Sequence, residues 1–240
     1  MLSRRLPAGA TVVVMSTLIA EDLLLLLLDD DSGKLDATYL TPLLGGAVLI
    51  ELAMAEALEV RKNGTWSSAK VHVLTDARQP ADAILVEALR TIGDKERTAQ
   101  DLVNRLGKGL KETLLERLVA RGIIAHEEDR VWGIFPRERW PAIDSSHEDA
   151  VRRQLAGALL EGARPADRTA ALVALLHAVS KAHRILADNH GIAAKQIRSR
   201  AKEIADGEWA AKAVRDAVAS AQAAMTAATT AATTAAVVSS

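Results

Sequence analysis

An early dense apolar run, Leu18-Ile19-Ala20, is interrupted by Glu21 and Asp22 and resumed at Leu23–Leu28. Ser16 or Thr17 is placed to cap a first helix through Leu28, and Asp29-Asp30-Asp31-Ser32-Gly33 reads as the turn that ends it. Thr41-Pro42 then reads as N-cap and first helical residue of a second helix running to about Val60. Its Leu43, Leu44, Val48, Leu49, Ile50, Leu52, Met54 and Leu58 lie nearly all round the axis, the pattern of a central, buried helix. Glu51 inside that run requires a partner or a rim position. Leu58–Arg61 and Lys70–Leu74, flanking Asn63-Gly64, predict a hairpin. Helices are expected at about Asp82–Ile92 and Thr98–Leu106, joined by the polar linker Gly93–Glu96.

The segment 107–135 carries more detail. Gly107-Lys108-Gly109 opens a helix whose Leu110, Leu114, Leu115, Leu118 and Val119 form one apolar face, and Gly122 is placed to terminate it. Ile123-Ile124-Ala125 and Val131–Phe135 are expected to pair across Glu127–Arg130 as a second hairpin. Pro136–Ser146 reads as a loop. Long helices are expected at about Glu148–Glu161, Asp167–Asn189 and Ala193–Thr226, followed by an Ala/Thr tail without apolar periodicity. The fold class is therefore mainly α, a compact helical-bundle core with two small peripheral β-hairpins. The expected organisation is an N-terminal extension over 1–16, one helical domain over 17–215, and an Ala/Thr-rich helix end and tail over 216–240.

Composition narrows the partners. Aromatics make up 2% of the chain and hydrophobic residues 49%, so the core must be built from Leu, Ala, Val and Ile, which favours helix on helix. The 30 Lys+Arg and 31 Asp+Glu give a formal net charge of −1, which excludes a global basic field and leaves only local anion sites. The absence of cysteine excludes disulfides, thiol catalysis and cysteine-ligated zinc. Residues 1–20 imitate a signal peptide, with Arg4 and Arg5 before Val12–Met15, but Leu18 and Ala20 make a poor cleavage site. No apolar run reaches the roughly 18–20 residues of a membrane span. These features favour a cytoplasmic protein.

The search for chemistry is mostly negative. His126-Glu127-Glu128 begins like a zinc-protease helix, but Arg130 stands where the second His belongs. His177, His183 and His190 are not aligned on one helix face, and Asp29–Asp31 departs from a calcium loop. No catalytic set, metal site or cofactor is implied, so the expectation is a binding protein and not an enzyme. Asp167-Arg168 reads as a charged helix start or a buried ion pair. The positive signal is Arg105, Lys108 and Lys111 around Gly107 and Gly109. Cations at a helix start oppose its dipole, yet with free N–H groups and flexible glycines they suit a bound phosphate. Trp132 and Phe135 on the second hairpin are candidates for a surface that meets a partner or a bilayer.

Four blocks resemble the Golgi phosphoprotein 3 family: Leu18–Leu28, Gly46–Leu52, Leu114–Ile124 and Arg164–Arg168 with Leu172–His177. The resemblance runs from about 17 to 210. It implies an all-helical core with peripheral hairpins and no enzymatic activity. It also implies binding of phosphatidylinositol 4-phosphate on the cytosolic membrane face and retention of membrane-protein clients by their short tails. Of the family's headgroup pocket, two basic positions fall on Lys108 and Lys111, its arginine falls on Gly45, and its tryptophan falls near Leu35 or Asp36. An anionic lipid headgroup is thus implied without the 4-phosphate being specified, and Ile123–Phe135 corresponds to the family's membrane-docking and self-association hairpin. Two other readings stand beside it. Residues 97–135 follow a winged-helix order, with Arg105, Lys108, Lys111, Arg117 and Arg121 able to meet nucleic-acid phosphate, although Glu112 and Glu116 count against this. The other is a scaffold that holds proteins together through the hairpin.

Overall fold

The structure is a computed structural model. It describes residues 17–29, 33, 35, 39–61, 70–131, 135–186, 194–207, 217–219, 221–223 and 225–226, with backbone alone for 129–131 and 135–137. Residues 1–16, the Asn63-Gly64 turn, Trp66, Trp132, His190, Trp209 and the tail from 227 lie outside the described residues.

The chain is mainly α with two small antiparallel sheets. α1 (Ile19–Leu27) is buried along its whole length, and α2 (Leu40–Met54) buries Leu43, Leu44, Leu49, Ile50 and Leu52 completely. α7 (Asp167–Ala178) completes this inner layer, with Ala170–Leu176 almost wholly out of water. Around it stand α3 (Ala83–Asp94), α4 (Ala99–Gly107), α5 (Leu110–Ala120), α6 (Ser146–Leu159), α8 (Ala194–Asp206) and the helical residues among 217–226. α2 and α4 cross closely because Gly45 and Gly107 face each other. A Cβ on Gly45 would overlap the Val103 carbonyl, and one on Gly107 would overlap the Thr41 carbonyl.

Several expected boundaries move. The N-cap of α1 is Leu18 and not Thr17, Ser16 lying outside the described residues; the Glu21 carboxylate accepts the Leu18 N–H at 2.7 Å, and the Thr17 hydroxyl turns to His147. α2 begins one residue before Thr41, after Tyr39 in the left-handed region, and Pro42 sits in the first turn, where its missing N–H costs nothing. α2 stops at Met54 instead of Val60, and α7 stops at Ala178 instead of Asn189. Both stops are two-bond αL terminations. Glu56 N–H reaches Ala53 O and Ala57 N–H reaches Leu52 O; Ser180 N–H reaches His177 O and Lys181 N–H reaches Leu176 O. The same pair of bonds ends α5 at Gly122, as its glycine foretold.

The sheets also differ from the expectation. β1 (Leu58–Arg61) and β2 (Lys70–Val73) pair as foreseen, but β3 (Arg97–Thr98), lying between the expected linker Gly93–Glu96 and the helix expected from Thr98, adds a third strand beside β2. In the second hairpin, β4 (Glu127–Val131) pairs with β5 (Phe135–Arg139), setting Glu127 opposite Arg139 and Val131 opposite Phe135. The segment Glu127–Arg130 is therefore strand and not turn, and Pro136–Arg139 is strand and not loop. Opposite charges at facing positions favour such a pair, so a charged stretch need not be a turn. Ile124 forms only an isolated bridge to Ala142.

Candidate anion-binding site

α4 ends at Gly107, Lys108 follows it, and Gly109 at φ +72° starts α5. Only a residue without a Cβ adopts that angle freely, so two helices meet across a two-residue turn. Gly109 at the N-cap has no side chain to accept from the first-turn N–H groups of α5, which a cap residue would otherwise satisfy. Lys108 is exposed and makes no ion pair with any described residue. The Arg105 Nε lies 2.8 Å from Asp101. Lys111 is half-buried, with its ammonium 3.5 Å from Glu112.

Arg105 and Lys108 line one side of an open cleft of about 490 Å³, whose other wall is Glu87, Arg90, Thr91 and Asp94 of α3 with Arg97 of β3. Arg97 is fixed there by donating to the Thr91 carbonyl at 2.8 Å and by Asp94 at 3.2 Å. Arg90 lies 3.3 Å from Glu87. The structure thus joins Arg105 to Lys108 and adds Arg90 and Arg97, which sequence reasoning missed; each stands alone in a helix or strand pattern, and only the folding of α3 onto α4 collects them. Lys111 is not among the residues lining this cleft. Gly45, where the family's arginine position falls, is buried in the α2–α4 crossing, and no side chain fits there.

A second set of charges lies inside the molecule. The Arg168 guanidinium meets Asp22 at 2.7 Å and Glu51 at 3.1 Å, and donates to the Thr17 carbonyl. His147 Nε2 is 2.7 Å from Asp22 and 2.9 Å from the Thr17 hydroxyl. Arg117 forks onto Asp82 at 2.8 and 3.0 Å, and both Arg117 and Arg121 lie 3.3 Å from Glu21. Glu51 also accepts the Ile19 N–H at 2.6 Å. Burial pushes the Glu51 carboxyl above its ordinary range despite the pull of Arg168, whereas the hydrogen bond to Asp82 raises Arg117 further. Glu51 has the partner its position demanded, and Arg168 is the buried-pair alternative realised.

On the hairpin, Phe135 begins β5, its side chain is not described, and Trp132 lies outside the described residues. At the hairpin base, His126 stacks on Trp140 with centroids 4.1 Å apart, and Ile143 stands 65% exposed. Among the described residues no helix is long and apolar enough to cross a membrane.

A leucine-rich helical core held by internal arginine–carboxylate pairs, with a cationic cleft on its flank, is the class of protein defined by these features. The chain belongs to the Golgi phosphoprotein 3 family, whose model, Golgi phosphoprotein 3 (GPP34), matches residues 19–221. Among curated proteins none matches the chain. The blocks that carry the resemblance converge on the internal charges: Glu21 and Asp22 from the first, Glu51 from the second, Arg117 and Arg121 from the third, Arg168 from the fourth. What the blocks share is a structural network, not the cleft.

Proposed function

We propose that this chain is a peripheral membrane-binding protein that holds an anionic lipid headgroup at the cytosolic face of a membrane and recruits membrane-protein clients there, acting by binding and not by chemical transformation. The observation that carries the reading is Lys108. It is an exposed cation without an ion pair among the described residues, at the rim of a cleft shared with Arg90, Arg97 and Arg105 and beside the uncapped start of α5. Unpaired N–H groups at a helix start and a neighbouring ammonium are complementary to phosphate oxygens. Lys111, in the first turn of α5, adds positive potential without lining the cleft. The 123–135 hairpin is the candidate for contact with the bilayer or with a second copy of the chain. Family membership supports a Golgi phosphoprotein 3-like role in general terms.

The test is co-sedimentation with phosphatidylcholine vesicles carrying phosphatidylinositol 4-phosphate or another acidic lipid. The wild-type chain is expected to sediment with acidic vesicles. Lys108→Glu combined with Arg105→Glu should lower affinity by at least about tenfold, since each basic residue at an anionic surface contributes on the order of 1 kcal/mol. Sedimentation unaffected by the pair would remove the cleft from the mechanism. The winged-helix reading is not favoured, because Arg117 and Arg121 are committed to internal carboxylates and β3 pairs with β2, away from the β4–β5 hairpin.

A further inference from the structure

The cationic cleft has a neighbour. A second open depression of about 380 Å³ lies against it, and the two share Glu87, Thr91, Arg105 and Lys108 as a common wall. Away from that wall the second depression is lined by Val48, Ala83, Ile84, Ala88, Leu106 and Leu110. Ile84 and Leu106 are only half-buried, so they present hydrocarbon that nothing in the described chain covers. The first cleft, by contrast, sets Arg90, Arg97, Arg105 and Lys108 against Glu87, Asp94 and the adjacent Asp101. The Arg90–Glu87 and Arg105–Asp101 pairs are on exposed side chains and can yield to a stronger anion, whereas Arg97 is largely covered and held in place. A charged half and an apolar half therefore abut, with Lys108 at the seam.

We infer that the site takes more than a headgroup: the apolar depression receives the glycerol and first acyl methylenes of the same anionic lipid whose phosphate sits in the cationic cleft. The inference rests on the headgroup reading above and specifies the rest of its ligand. Charge complementarity selects an anion for one half, and the apolar lining selects hydrocarbon for the other. A peptide fits less well. No strand edge lines the depression among the described residues, and the Gly109 carbonyl at its margin is already taken by the Thr113 hydroxyl at 3.3 Å. A peptide backbone laid there would find few hydrogen-bond partners, whereas hydrocarbon needs none.

The experiment compares two soluble probes by calorimetry on the full chain: inositol 1,4-bisphosphate, and dioctanoyl phosphatidylinositol 4-phosphate below its micelle concentration. Each methylene taken out of water is worth about fourfold in affinity, so the acylated probe should bind at least about tenfold more tightly. Thr113→Trp, at an exposed position that lines only the apolar depression, should abolish that advantage and leave the soluble headgroup unaffected. Ile84→Asn, which makes the lining polar, should do the same and guards against a fold defect peculiar to the first variant. Equal affinity for the two probes would overturn the inference while leaving the headgroup reading intact. Loss of both probes together in both variants would also overturn it. Failure of the wild type to bind either probe removes the headgroup reading and the inference with it. Binding of a leucine-containing acidic peptide that the dioctanoyl lipid cannot displace would assign the depression to a protein partner instead.

Discussion

At the scale of single residues the fold depends on charges that a hydrophobic reading treats as interruptions. Asp22 is 1% exposed, and Arg168 is the only arginine placed on it among the described residues. Removing one partner of a buried pair strands the other, which costs about 3–5 kcal/mol. Arg168→Met is therefore expected to lower the urea unfolding free energy by about 3 kcal/mol or more, and Arg168→Lys to recover only part, because an ammonium cannot fork across Asp22 and Glu51. Arg105→Ala, which breaks an exposed pair with Asp101, should stay within about 0.5 kcal/mol of wild type. A curve for Arg168→Met that overlays the wild type would mean the network contributes nothing. The need for a partner at Glu51 was legible, because a carboxylate on an otherwise apolar helix cannot stay alone. Its pairing with a residue 117 positions away was not, since no local pattern encodes which arginine arrives.

At the scale of elements, helix identity was legible and helix ends were legible only where glycine marks them. α2, α5 and α7 all finish with the same two-bond termination, but only α5 places a glycine, Gly122, at the left-handed position. In α2 that position is Glu56 at φ 53°, and in α7 it is Ser180 at φ 56°. Apolar periodicity continues past both, so both helices read as longer than they are. The same fact yields a prediction. A non-glycine residue at a left-handed angle costs about 1–2 kcal/mol, and glycine returns part of that gain through its larger unfolded-state freedom. Glu56→Gly, at an exposed site, should thus stabilise the chain by about 0.5–1 kcal/mol in the same urea assay. Destabilisation would indicate that the Glu56 side chain contributes more than its backbone angle costs. The second hairpin failed for another reason: Glu127–Arg130 has turn-like residue types but β-ladder partners, and pairing across a ladder is not a property of one strand.

At the scale of the whole molecule, near-balance of charge decides how a membrane could be recognised. With a net charge of −1 the chain has no long-range pull toward an acidic surface, so attraction must come from the flank bearing Arg90, Arg97, Arg105 and Lys108. That flank is assembled from α3, β3, α4 and the turn before α5, which explains why sequence spacing exposed Arg105 and Lys108 together but left Arg90 and Arg97 unnoticed. A local patch acts within a Debye length, about 10 Å at 0.1 M salt and about 3 Å at 1 M. Binding to acidic vesicles should therefore weaken at least about tenfold between roughly 0.05 and 0.5 M salt. If hydrocarbon also enters the apolar depression, the decline should level off, because burial of methylenes is not screened by ions. Lys108→Glu with Arg105→Glu should flatten the salt-dependent limb, and Thr113→Trp should remove the salt-resistant remainder. The two variants thus separate the charged half of the cleft from the apolar half on one titration. Vesicle binding with no salt dependence at all would contradict a headgroup site built from these four cations.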